Sequence, residues 1–173
     1  MKKSIEIVDK LSDERVIKLR YLYIVIDSSY KIHYEFNNKG HIILPFHRSE
    51  VLPWKIYENL PKNLIRKCKS EKKNIIGVLQ LWIYNTKNYS YADLRGLGVL
   101  HDFTGNKLKV LIKLLDAMDK FSINYKLKYI SASTSVISEK IMRKAGFFRK
   151  KNYKFFTFFG EMLFRQKHYV KVY

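Results

Sequence analysis

Cysteine is almost absent from this 173-residue chain: Cys68 stands alone, so no internal disulfide framework can form and a reducing compartment fits. Proline is confined to Pro45, Pro53 and Pro61, which predicts short helices and loops over residues 45–73 and fewer breaks elsewhere. No stretch approaches the roughly 18 apolar residues of a membrane-spanning helix. The opening MKKSIEIVDK has lysines but lacks the apolar segment of a secretory signal. A cytoplasmic protein with no membrane partner is therefore expected.

Acidic residues are the more telling shortage. Against 34 Lys+Arg there are 15 Asp+Glu, a formal net charge of +19. Such a field draws polyanions, and nucleic acid or an acidic protein is the expected partner. The bland reading is a composition rich in Lys, Asn, Ile and Tyr. What is present in plenty is core material: 47% hydrophobic and 15% aromatic residues suit one folded domain spanning 1–173.

The front of the chain reads mostly as strands. Residues 4–9 alternate, Ser12-Asp13-Glu14 starts a helical turn that reaches Arg20, and Tyr21–Asp27 forms a buried strand. Lys31–Phe36 alternates again, and Asn37–Gly40 turns into His41–Leu44. Leu64-Ile65 sits among lysines and Arg66, a solvated helix face or a phosphate-binding one. Asn74–Tyr84 is a central strand, and Tyr91–Leu100 pairs back against it in antiparallel fashion. Gly96 and Gly98 inside that second strand predict a bulge or a close approach.

An amphipathic helix follows, with Leu108, Leu111, Leu115 and Met118 on its apolar face and Val110, Leu114 and Phe121 widening it. Lys128–Ser133 is the next strand, and a short helix ends at Gly146. From Phe147 the chain is basic and aromatic and reads as two strands hinged at Gly160. Leu94–Phe147 thus contains a βαβ unit, which implies a parallel strand pair. Asp93 and Arg95 lie two apart on one strand face; a salt bridge is the plain role and proton transfer the chemical one. The 5 histidines show no metal-ligand spacing, so no metal is expected.

This order of elements resembles the GNAT superfamily of acyl-CoA-dependent N-acyltransferases over most of residues 20–168. Its most specific points are the strand–turn–helix at 94–120 and the ending IMRKAGFF. The resemblance implies an α/β fold: a mixed central sheet flanked by helices, a strand–helix–strand core at 94–133 and a C-terminal β-hairpin. It implies acetyl-CoA or another acyl-CoA as cofactor. In that family the turn carries Arg/Gln-x-x-Gly-x-Gly/Ala, whose backbone N–H groups cradle the pyrophosphate at a helix N-terminus. The matching stretch is Thr104-Gly105-Asn106-Lys107-Leu108-Lys109, with lysines in place of both motif glycines.

The cofactor-binding residues so implied are Gly98, Val99, Thr104, Gly105, Asn106, Lys107, Lys109 and Ser135. Met142 stands where a tyrosine often protonates the departing thiolate, and its ordinary reading is core. Asp93, Arg95 and His47 are the implied catalytic residues, His47 lying in the broken helical region that faces the acceptor in this architecture. The expected function is transfer of an acyl group to an amine on an anionic or nucleic-acid-associated acceptor. Gly105-Asn106 and Arg95 are also similar to the phage Mom-like branch, which modifies adenine in DNA. The remaining alternative is a fold without a working cofactor site that binds nucleic acid or protein. Lys154, Arg165 and Lys167 among Tyr153, Phe155, Phe158 and Phe164 have the mixture of single-strand binders.

Overall fold

Asn74–Tyr84 is β-branched or aromatic at most positions, and it becomes the strand on which the sheet is built. The computed structural model describes residues 16–37, 60–100, 102–134, 139–149, 155–159 and 162–173, with backbone alone at 133–134, 155–159 and 162–168. In chain order these form β1 (Val16–Asp27), β2 (Ile32–Asn37), α1 (Lys62–Ser70), β3 (Ile75–Thr86), β4 (Ser90–Val99) and α2 (Lys107–Asn124). There follow β5 (Leu127–Thr134), α3 (Glu139–Lys144), β6 (Phe148–Arg149), β7 (Phe155–Phe159) and β8 (Met162–Val172). The sheet order is β2-β1-β3-β4-β5-β8-β6, and β7 pairs with the early part of β8. Of the described pairs, β4 and β5 are parallel and the others antiparallel.

The expected mixed sheet, the 94–133 core and the closing hairpin are all present. One early expectation is overturned. Val16–Arg20, expected to end a helical turn, is strand, paired with Thr86 through Ile83 of β3. A long partner strand with open hydrogen-bonding groups draws this segment into the sheet, and Ser12-Asp13-Glu14 lie outside the described residues. The segments 4–9 and His41–Leu44 lie outside the described residues.

Each sheet face has its own cover. Leu22, Ile24 and Ile26 of β1 and Leu79, Leu81 and Ile83 of β3 pack with Val110, Leu114 and Met118 of α2. Each such side chain contributes roughly 2 kcal/mol when fully buried. The apolar stripe of α2 is thus centred on Val110, Leu114 and Met118. Leu108, expected on it, is 52% exposed, because two residues turn the helix about 200° away from Val110. On the opposite face Tyr23, Val25 and Val78 pack under Leu60 and under Leu64 of α1. Farther along that face lie Trp82, Tyr84, Tyr91, Tyr129 and Val170.

The glycine-rich part of β4 holds a bulge. Gln80 pairs with Gly96 but its neighbour Leu81 pairs with Leu94, so Arg95 is the extra residue. Leu94 and Leu97 therefore both reach the α2-side core despite their odd spacing. α3 ends as expected at Gly146, φ 83, with Phe147 N–H donating to Met142 O and Gly146 N–H to Arg143 O. The β1–β2 turn is anchored by buried Asp27. Its Oδ1 accepts from Ser29 N (2.9 Å), Ser29 Oγ (2.6 Å) and Lys31 N (3.1 Å), and its Oδ2 lies 2.8 Å from His33 Nε2.

Candidate functional site

β4 and β5 pair in parallel as far as Leu94 and Ala132, yet β4 runs on to Val99 and β5 to Thr134. From residue 95 onward the β5-side edge of β4 has no strand partner among the described residues. Gly98 and Val99 lie on that parted section, their other edge paired to Val78 and Gly77 of β3. The chain then turns through Thr104 and Gly105 into α2. A strand-rich front, an antiparallel pair, a helix, a parallel strand and a closing hairpin complete the order. This is the element order expected from the sequence.

Beside the parting point, one register row crosses three strands: Trp82 of β3, Asp93 of β4 and Ser131 of β5. Asp93 is buried, and its Oδ1 accepts the Ser131 hydroxyl. Arg95 Nη2 donates to Asp93 Oδ2 at 3.3 Å, and its guanidinium lies 4.8 Å from the centre of the Trp82 ring. Trp82 Nε1 and the Tyr84 hydroxyl are buried without a hydrogen-bond partner among the described residues. Burial first, and then the charge of Asp93, push the Tyr84 phenol up to about 12, with Arg95 opposing. The result is a neutral hydroxyl and an indole N–H beside an acid–base pair. Such unmet polar groups are uncommon in protein interiors.

At the start of α2, Asn106 is the N-cap, and its side chain accepts from Lys109 N at 3.0 Å. One first-turn N–H that the family motif would offer to a phosphate is thereby taken. Thr104, Gly105, Asn106, Lys107 and Lys109 are all exposed, and the first turn has no acid. The Lys109 ammonium reaches Tyr30, 5.1 Å from its ring centre. A Cβ on Gly105 would come within 2.3 Å of the Phe103 ring, which would have to swing aside to admit a larger residue. Lysines against the positive end of a helix dipole are unfavourable alone and suit an anion. The residues fit a diphosphate by charge, with side-chain cations replacing part of the N–H cradle.

Asp93 and Arg95 are thus brought together, and the turn residues cluster at the head of α2. His47 and Ser135 lie outside the described residues. Met142 is fully buried in the α2-side core, the ordinary reading of a methionine there. Sequence reasoning missed Ser131, Trp82 and Tyr84, which reach Asp93 only through strand register. It also missed Tyr169, a fully buried residue opposite Ala132, where β4 and β5 begin to part. Its hydroxyl has no hydrogen-bond partner among the described residues, and burial, then Glu139, raise its pKa.

No family model matches the chain, and no curated protein matches it. Among solved structures it is similar to a GCN5-related N-acetyltransferase from Rhodopseudomonas palustris, titled as a class-II aminotransferase. That match has 16% identity and a TM-score of 0.41 over 58% of this chain and 56% of that one. It is also similar to an acetyltransferase from Streptococcus agalactiae, with 14% identity and a TM-score of 0.42 over 78% and 96%. The chain therefore spans little more than half of the first relative. Neither likeness assigns a role to a residue here. No helix among the described residues is long and apolar enough to cross a membrane.

Proposed function

We propose that this protein is an N-acyltransferase that moves an acyl group from an acyl-CoA to an amine, the amine belonging to an anionic or nucleic-acid-associated acceptor. The observation that carries the reading is the parting of β4 from β5 after Leu94 and Ala132, with the cationic start of α2 directly downstream. Lys107, with the turn from Thr104 to Asn106, would hold the diphosphate, and the unpaired edge of β4 at Gly98 and Val99 would lie along the pantetheine arm. Bound there, the cofactor supplies an activated thioester.

The chain's own part is positioning and proton handling. N–H groups on an unpaired strand edge are placed to polarise a carbonyl oxygen without reorganising. Asp93 is a buried carboxylate on the strand that parts, and its oxygens already receive Ser131 and Arg95. An incoming ammonium would have to displace Arg95 before Asp93 can take its proton. Arg95 then acts as a gate on the acid, stacked on Trp82 when withdrawn or bound to a phosphate of the acceptor.

Calorimetric titration with acetyl-CoA at near-physiological salt tests this, alongside Gly105→Pro. Binding abolished by the substitution supports the reading; no binding by the wild-type chain retires it. The Asn106 cap on Lys109 N–H favours a second reading, a fold that binds polyanions without turnover. Intact salt-dependent binding of nucleic acid with no donor affinity would establish that one. A mass-shifted nucleoside in DNA from expressing cells would instead point to Mom-like base modification.

A further inference from the structure

The charge on α1 is arranged differently from that on the other described helices. Leu64 and Cys68 face inward and are buried, while Lys62, Arg66, Lys67 and Lys69 are exposed. Lys62, Arg66 and Lys69 recur at spacings of four and three, so they form one stripe along the outer side. No acid lies within the helix. Glu71, just past its end, is bound to Lys73 at 3.1 Å. In α2, by contrast, Asp119 bonds Lys171 at 2.5 Å, and in α3 Glu139 bonds Arg143 at 2.7 Å.

Most local electrostatic terms on α1 oppose the free helix, Lys67 and Lys69 in its last turn being the exception. Like charges three and four apart repel, each pair costing about 0.2–0.5 kcal/mol. The first turn carries Lys62 and no acid, at the positive end of the dipole, and the N-cap Pro61 makes no side-chain cap bond. A helix of nine residues gains little by itself. A partner with closely spaced negative charges would remove these penalties together.

We infer that the outer stripe of α1, Lys62, Arg66 and Lys69, is a docking surface for the phosphodiester backbone of a nucleic acid. An anionic membrane fits less well. A helix that lies on lipid buries an apolar face there, and the apolar face of α1 is already spent on Tyr23, Val25 and Val78. An acidic protein fits less well too, since protein interfaces are depleted in lysine and centred on apolar anchors. The exposed side of α1 offers neither aromatic nor large aliphatic residues beyond half-buried Ile65. Regular cations with nothing apolar between them match a phosphate array, which carries one charge per roughly 1.7 Å of duplex axis.

The stripe and the Asp93 cluster share one sheet face. Val78, under α1, and Trp82 are four positions apart on β3, about 13 Å of strand. The docking surface stands without the acyltransfer reading and is tested apart from it.

The test is fluorescence anisotropy of the full chain with labelled 20-mers of duplex DNA, single-stranded DNA and single-stranded RNA, titrated from 50 to 300 mM salt. The variants are Lys62→Glu/Arg66→Glu/Lys69→Glu and, with the same charge change elsewhere, Lys120→Glu/Lys140→Glu/Lys144→Glu. For wild type, affinity for at least one oligonucleotide falls steeply with salt. Loss of three phosphate contacts on α1 lowers the slope of log K against log salt by about 2–3. The control triple changes it by less than one. Lys62→Glu suits the helix dipole and Lys69→Glu opposes it, so the α1 variant melts close to wild type, which separates lost binding from lost folding. Equal effects of the two triples would overturn the proposal and leave only overall charge. No oligonucleotide binding by wild type, or α1-dependent binding confined to anionic vesicles, would overturn it as well.

Discussion

At the scale of single residues, Asp27 shows how much one buried carboxylate can organise. Burial alone would raise its pKa, but the bonds from His33, Ser29 and Lys31 outweigh that and hold it well below the usual carboxylate range. A depressed folded-state value means the stabilisation is complete above the free-aspartate value of about 4 and is lost as pH falls through the folded one. Asp27→Asn should therefore cost about 3 kcal/mol at neutral pH, the scale of breaking a buried pair. It should also flatten the acid limb of a stability–pH curve measured by urea melts. An unchanged acid limb would mean that another carboxylate sets it. Asn106 permits a sharper separation of fold from ligand. Asn106→Asp keeps the cap and adds a charge that suits the helix dipole, so melting temperature should hold or rise. The same charge beside the proposed diphosphate site should weaken acetyl-CoA binding about tenfold by calorimetry. Equal affinity would place the diphosphate away from this turn.

At the scale of elements, α2 leaves no room for a side chain on the sheet at Gly77. A Cβ on Gly77 would meet Val110 Cγ1 at 2.6 Å and Ile26 Cγ2 at 2.9 Å. Gly77→Ala should cost about 1–3 kcal/mol through overpacking, readable as a lower denaturant midpoint with unchanged slope. The elements most legible in the sequence were those with a strong single period: β3, β4, α2 and β5. Val16–Arg20 was not, because its strand state comes from β3, some sixty residues on. The bulge at Arg95 was half legible, since Gly96 and Gly98 signalled an irregularity but not which residue would be extra. Within the site, period two sufficed to join Asp93 with Arg95. Ser131 and Tyr169 were beyond reach, because parallel and long-range antiparallel registers leave no local trace. Nor does any periodicity mark Lys72 and Lys126, which take the left-handed conformation at φ 55 and 58 just past α1 and α2, where glycine is usual.

At the scale of the whole molecule, a formal +19 on 173 residues means that folding works against self-repulsion. Raising monovalent salt from about 20 to 300 mM shortens the screening distance to below roughly 8 Å. The melting temperature should therefore climb over that range, as followed by circular dichroism. A flat response would show that the exposed cations are already locally compensated. The same salt should weaken nucleic-acid binding, so one variable moves stability and association in opposite directions.

The stacking around the Asp93 row also has an optical consequence. Tyr84, Tyr91 and Tyr129 form a column with ring centres 5.0 and 5.1 Å apart, and Tyr21 meets Trp82 edge-on at 5.2 Å. Trp82 is one of 2 tryptophans, the other being Trp54. Light absorbed by the tyrosine column should pass to Trp82, whose emission should respond to the guanidinium on its ring. A Trp54→Phe protein would carry a single intrinsic lamp at the candidate site. Any ligand that draws Arg95 away would change its colour and brightness without a label.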